Sequence, residues 1–133
     1  MSEITGAVHH VNLSVTDLDR SAQWYGELFG LHELARMSAD DGSWSKVILR
    51  HPSGLLIGLT AHARNDSEPF LEWRTGFDHV ALTVHSGEEL HSWERRLDDR
   101  GIERSEVKET PLGRLITLRD PDNIQLELYA PHA

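Results

Sequence analysis

The chain contains no cysteine. That excludes disulfides, thiolate nucleophiles and zinc–thiolate centres. Basic residues are in deficit: 13 Lys and Arg stand against 22 Asp and Glu, a formal charge of −9. Such a surface repels phosphate backbones, so nucleic-acid binding is not expected. No long apolar run is present. The most apolar uncharged stretch, around residues 54–63, falls far short of the ~18 apolar residues of a membrane helix. Met1-Ser2-Glu3-Ile4-Thr5 has neither a basic start nor an apolar core, so no secretory signal is expected and a cytoplasmic location is. Aromatic residues are sparse at 7%. What remains, 133 residues with 38% hydrophobic and 26% charged, is a chain able to bury one core as a single globular domain over 1–133.

Histidine is conspicuously present, with nine copies. Without cysteine, a transition-metal site must be built from imidazole nitrogen and carboxylate oxygen. Nine are too many for one site, so most are expected on the solvated surface.

Self-comparison organises the chain. His10 is followed by Val11-Asn12-Leu13-Ser14-Val15, and His79 by Val80-Ala81-Leu82-Thr83-Val84, a shift of 69 positions. The same shift pairs Trp24 with Trp93, Leu28 with Leu97, Leu49-Arg50 with Leu118-Arg119, Pro52 with Pro121, Leu59 with Leu128 and Ala61 with Ala130. The pattern predicts a duplicated unit, with a boundary in the polar stretch from His62 to Gly76.

Each unit reads as strand, helix and three strands. The opening strands are expected over Val8–Val15 and Asp78–Val84. Helices follow, capped by Asp17 and Ser86 and ended by Gly30 and Gly101. Further strands are expected near Leu31–Met37, Trp44–Arg50 and Leu55–Ala61. Their counterparts are Ile102–Glu109, Arg114–Arg119 and Ile124–Ala130. His51-Pro52-Ser53-Gly54 and Asp120-Pro121-Asp122-Asn123 supply turns.

Period-two alternation assigns faces. Val11, Leu13 and Val15, with Val80, Leu82 and Val84, lie under the helices. The opposite face carries His10, Asn12 and Ser14 in one unit and His79, Ala81 and Thr83 in the other, with Gln125, Glu127 and Tyr129. His9 points away by the same rule and is left out. Two imidazoles and a carboxylate on one face match the two-histidine-one-carboxylate arrangement that leaves coordination positions open. We therefore expect His10, His79 and Glu127 to hold one divalent ion (Fe, Mn, Ni or Zn). Polar neighbours are Asn12, Lys46, Thr83, Thr117, Gln125 and Tyr129. Trp44, Phe70 and Trp73 are read in loop-like stretches, and residues 65–69 as a connector.

His10-Val11-Asn12-Leu13-Ser14-Val15-Thr16-Asp17-Leu18, Trp24-Tyr25, Leu28-Phe29-Gly30-Leu31, Asp78-His79-Val80-Ala81-Leu82-Thr83-Val84 and Asp120-Pro121-Asp122-Asn123-Ile124-Gln125-Leu126-Glu127 together resemble the vicinal-oxygen-chelate superfamily. That superfamily includes glyoxalase I, extradiol dioxygenases, fosfomycin-resistance enzymes and bleomycin-binding proteins. The resemblance implies an α+β fold of two tandem βαβββ modules, about 7–61 and 77–130, forming a curved mixed sheet around a metal-binding cavity with helices outside. It implies His10, His79 and Glu127 as ligands of an ion that a small substrate chelates through neighbouring oxygens. Glyoxalase I and the related epimerases usually carry a fourth ligand where this chain has Gly58, which turns the reading toward an extradiol-dioxygenase-like or lyase-like enzyme. A fosfomycin-type thiol transferase and a non-catalytic bleomycin-resistance-type binder are the alternatives. The extradiol likeness suggests His62 as an acid–base group, with Tyr129 as a second catalytic candidate. A homodimer is implied, its site formed within one chain or by His10 of one copy with His79 and Glu127 of another.

Overall fold

The computed structural model describes residues 2–132. The chain divides into two compact units, Met1–Glu68 and Pro69–Ala133, and the division falls inside the expected boundary. Unit one runs β1 (Val11–Ser14), α1 (Leu18–Phe29), β2 (His32–Ser38), β3 (Trp44–Arg50) and β4 (Leu56–His62). Unit two runs β5 (His79–Thr83), α2 (Gly87–Asp99), β6 (Lys108–Thr110), β7 (Gly113–Arg119) and β8 (Gln125–Pro131). Each unit forms one four-stranded mixed sheet, ordered β1-β4-β3-β2 and β5-β8-β7-β6. The outer pairs β1/β4 and β5/β8 are parallel and the others antiparallel. This is the expected α+β architecture of two βαβββ modules.

Local chemistry accounts for the elements. The Asp17 carboxylate accepts from Arg20 N at 3.1 Å to open α1. Gly30 closes it in the left-handed region at φ 70, where a side chain would be strained. Ser86 caps α2 through Glu89 N. One face of each sheet meets its helix. In unit one Leu13, Val15, Val47, Leu49, Ile57 and Leu59 are buried with Tyr25 and Leu28. In unit two Ile116, Leu118, Leu126 and Leu128 are buried with Leu90 and Leu97. Burying each such side chain contributes about 1.5–3 kcal/mol. The helix-lining stripes therefore place the opposite face of each sheet toward solvent.

Three details differ from the sequence reading. Helix α1 buries Ser21, Tyr25 and Leu28, whereas Trp24, which its spacing of four from Leu28 puts on the same face in the sequence, is only half-buried. The opening strand begins only at Val11, and Val8 is exposed. The strand expected over 102–109 shrinks to Lys108–Thr110 plus a single bridge between Arg104 and Leu118. Arg104 is drawn instead onto α2, paired with Asp98 at 2.9 Å and Glu94 at 2.9 Å. Among the described residues, no helix is long and apolar enough to cross a membrane.

Candidate metal half-site and donor-lined cleft

In unit two, β5 and β8 lie side by side with Ala81 opposite Glu127 and Thr83 opposite Tyr129. Across β7, Thr117 lies opposite Glu127. The solvent-side face therefore collects His79, Thr83, Thr117, Glu127 and Tyr129. His79 Nε2 stands 3.2 Å from Glu127 Oε1. Its other nitrogen, Nδ1, stands 2.6 Å from Asp78 Oδ1. A carboxylate on Nδ1 holds a proton there and leaves the Nε2 lone pair for a ligand. In that tautomer Nε2 and a carboxylate oxygen face each other as two acceptors. A cation between them, or an added proton on the ring, satisfies both. The donor set thus fits a divalent ion of the kind that takes imidazole and carboxylate together.

Asp78 is itself held. Gln125 Nε2 donates to Asp78 Oδ1 at 3.2 Å, and Gln125 Oε1 accepts from Arg119 Nη2 at 3.0 Å. Arg119 grips both carboxylate oxygens of Glu72 at 2.9 and 3.2 Å. That contact holds the Glu72 carboxyl down at about 2 and raises the guanidinium further. Both ends of the Gln125 amide are engaged in this chain of contacts, so its structural part is to brace Asp78. Residues before β5 are tethered to the same unit: Phe70 N donates to Asp122 O at 2.9 Å and Asn123 Nδ2 donates to Phe70 O at 2.9 Å. The Tyr129 hydroxyl pairs with Thr110 Oγ1, which orients the phenol along the sheet.

In unit one His10 directly precedes β1 and is exposed. The His9 and His10 rings meet edge to face, Nδ1 to Nδ1 at 2.8 Å. The expectation that His9 points away from His10 is therefore corrected, while its exclusion as a ligand is not. Strand alternation does not apply outside the strand, and both rings border a small cleft of about 110 Å³ with Asn12, Lys46, Ile48, Leu56 and Gly58. A larger cleft of about 430 Å³ is lined by Asn12, Ser14, Trp44, Lys46, Thr60 and His62. Two readings change here. His62 is the last residue of β4, paired with Trp44, the first of β3. The strand expected over Trp44–Arg50 is found with those bounds, so Trp44 is a strand residue and not a loop one, and His62 is a strand end and not a connector residue, because the β3–β4 ladder runs on to that pair.

Asn12 marks the junction of the two clefts. Thr60 Oγ1 donates to its Oδ1 at 2.8 Å, which turns the NH₂ end over β4. A Cβ at Gly58 would lie 2.8 Å from Asn12 Nδ2, so glycine is what lets the amide lie there. Lys46 extends over the Trp44 ring, its Nζ 5.3 Å from the centroid.

Among the described residues, no three His, Asp or Glu side chains are gathered closely enough to hold a metal. Unit two supplies a two-ligand pair. The sequence reading missed Asp78, Arg119, Glu72, Thr60 and the Trp44–His62 pair as contributors. Asp78 was legible only as the residue before His79, and Thr60 as the second residue after Gly58 on the same face.

The sequence profile of the Glyoxalase/Bleomycin resistance protein/Dioxygenase superfamily matches residues 7–128. A glyoxylase/bleomycin resistance protein/dioxygenase domain from Frankia sp. EAN1pec is 36% identical, covers 97% of this chain and 100% of its own, and superposes with a TM-score of 0.88. The SMU.1112c structure is 25% identical over 95% of this chain and 99% of its own, with a TM-score of 0.77. The genomically encoded fosfomycin resistance protein FosX from Listeria monocytogenes, in a mutant form complexed with Mn(II) and 1S,2S-dihydroxypropylphosphonic acid, is 22% identical. It covers 97% of this chain and 95% of its own, with a TM-score of 0.70, a likeness of fold. Comparison with curated proteins gives no significant match.

Proposed function

The chain belongs to the glyoxalase/bleomycin resistance protein/dioxygenase superfamily, and on that premise we propose that it is a metal-dependent enzyme binding a small substrate through neighbouring oxygens. The observation that carries the reading is His79 Nε2 facing Glu127 Oε1 at 3.2 Å, with Asp78 fixing the far side of the ring. His79 and Glu127 are two ligands, and His10 is the third by its place in the repeat, taken from the same chain or from the partner's copy in a homodimer. A bound Fe, Mn, Ni or Zn ion supplies Lewis acidity to two chelated oxygens and stabilises the negative charge that develops on them. The chain's own part is to hold the ion with one carboxylate charge, to keep the proton of His79 on Nδ1 through Asp78, and to present Thr83, Thr117 and Tyr129 on the same face. The same reading makes the protein cytoplasmic, acting on a small molecule.

The reaction is read as extradiol-dioxygenase-like or lyase-like, since Gly58 leaves three ligands. A fosfomycin-type reaction is the second reading, supported by the fold likeness to FosX. The test is metal analysis of protein purified without a histidine tag, followed by a panel of catechol, methylglyoxal hemithioacetal, and fosfomycin with and without a thiol. We expect near-stoichiometric metal in the wild type, its loss in His79→Ala and its retention in His9→Ala. Equal metal in wild type and His79→Ala overturns the ligand assignment. No metal in either form points to a non-catalytic binder of the bleomycin-resistance type.

A further inference from the structure

Resting on that reading for the part the cleft plays in catalysis, we infer that the cleft of unit one is an oxyanion subsite, and that the substrate is a small organic acid whose carboxylate or phosphonate is held by Lys46 and Asn12. The argument begins with what lines the cleft. Its six residues are Asn12, Ser14, Trp44, Lys46, Thr60 and His62. None is acidic, on a chain whose acids outnumber its bases 22 to 13. A local surface with one fixed cation and a titratable imidazole stands out against that background.

The hydrogen-bonding inventory points the same way. Lys46 carries three N–H donors and no acceptor. Thr60 is buried and spends its proton on Asn12 Oδ1. That bond uses the acceptor end of the Asn12 amide and leaves its NH₂ end over Gly58, where both residues line the smaller cleft. Gly58 keeps that orientation open, since a Cβ there would meet Asn12 Nδ2. The fixed groups at the junction of the two clefts are therefore donors, and they suit a ligand made of acceptors. The Trp44 ring lies under the Lys46 ammonium, with Nζ 5.3 Å from its centroid and so within cation–π distance. A cleft of about 430 Å³ falls within the ~300–1,000 Å³ of small-molecule sites. Lys46 and Asn12 also border the smaller cleft that contains His10, so the acid group is bound beside one of the proposed metal ligands.

The experiment titrates the full chain, stripped of metal with EDTA and again loaded with Zn(II), against methylphosphonate, acetate and neutral propane-1,2-diol. Heteronuclear NMR follows the Asn12 side-chain NH₂ and the Trp44 indole N–H. We expect one or both acids to shift these signals saturably in metal-free protein, and the diol not to. Which acid binds tighter identifies the group. Lys46→Met, which keeps the apolar stem, should weaken acid binding by about tenfold or more, while Lys46→Arg retains most of it. Lys46→Met should keep its metal. Unchanged acid binding in Lys46→Met, binding of the diol as tight as the acids, or no saturable shift with either acid each overturns the inference. A Lys46-dependent acid site in a protein that takes up no metal would sink the metalloenzyme reading while leaving the subsite standing.

Discussion

The two units share a backbone plan and differ on their solvent-side faces. Positions 69 apart carry the comparison. His10 and His79 correspond, and so do the residues before them, His9 and Asp78. Both preceding residues touch Nδ1 of the following histidine, at 2.8 Å from an imidazole and 2.6 Å from a carboxylate. Gly58 corresponds to Glu127, Asn12 to Ala81, Lys46 to Leu115, Thr60 to Tyr129, and Trp44 to Gly113. Where unit two has a carboxylate on its central strand and a small Ala81 beside it, unit one has a glycine with the Asn12 amide laid across it. Even the turns match by different means. His51 Nδ1 accepts from Ser53 N in one, and the buried Asp120 accepts from Asp122 N and Ile124 N in the other. The helix-side pattern of a sheet is constrained by packing. The solvent-side pattern is free to diverge, and here one face carries an imidazole–carboxylate pair while the other presents donors.

The largest break in this comparison is expected at Asp78. Removing the charge behind a metal-ligating imidazole typically costs about 10–100-fold in metal affinity. Asp78→Asn should therefore weaken metal binding by that much with Glu127 and His79 intact. His9→Ala, its counterpart, should retain the metal and weaken its binding by less than about tenfold, because an imidazole polarises its neighbour less than a carboxylate does. Competition titration with a chelator measures both. Equal effects would show that the two histidines are braced alike.

A smaller effect tests the glycine. Gly58→Ala forces the Asn12 amide aside and breaks its bond from Thr60, a loss of ~1 kcal/mol. Replacing a strand glycine returns roughly 0.5–1 kcal/mol. Denaturant unfolding should then show little net change, while the Asn12 NH₂ resonances move. In an Asn12→Ala background the same Gly58→Ala change should be stabilising, because nothing remains to displace. Gly58→Glu adds a carboxylate at the position of Glu127 and meets the same obstacle.

The smallest effect concerns Glu72. Arg119 holds its carboxyl at about 2, below the ordinary 4.5. A depressed carboxyl stabilises the fold fully above its ordinary value, and the contribution is lost as pH falls through the folded value. Glu72→Gln should lower stability near neutral pH, with the gap to wild type closing between pH 4.5 and about 2. Thermal unfolding across that range is the measurement. A gap that persists at the acid end would mean that Glu72 acts through packing, not charge.

Much of this was present in the sequence. The repeat, the caps at Asp17 and Ser86, the turns, the mixed α+β modules and the face shared by His79, Thr83, Glu127 and Tyr129 follow from local rules. Backbone hydrogen bonding and period-two alternation act within a few residues, so a chain displays them directly. The partners of side chains across the sheet did not follow. Asp78, Gln125, Arg119 and Glu72 are joined across as many as 47 positions, and no local rule links them. His62 was misplaced because a strand's end is set by its neighbour's length, here by the pairing with Trp44 at the start of β3. His9 was misplaced because alternation was carried past the strand's start. The strand expected over 102–109 was lost to the Arg104 ion pairs with α2. What the sequence alone determined is therefore the modules and the chemistry each solvent-side face carries, because propensity and periodicity are local. Only the tertiary structure decided which of those groups meet, because a hydrogen bond depends on where two backbones bring its ends, and that is fixed by packing between distant segments.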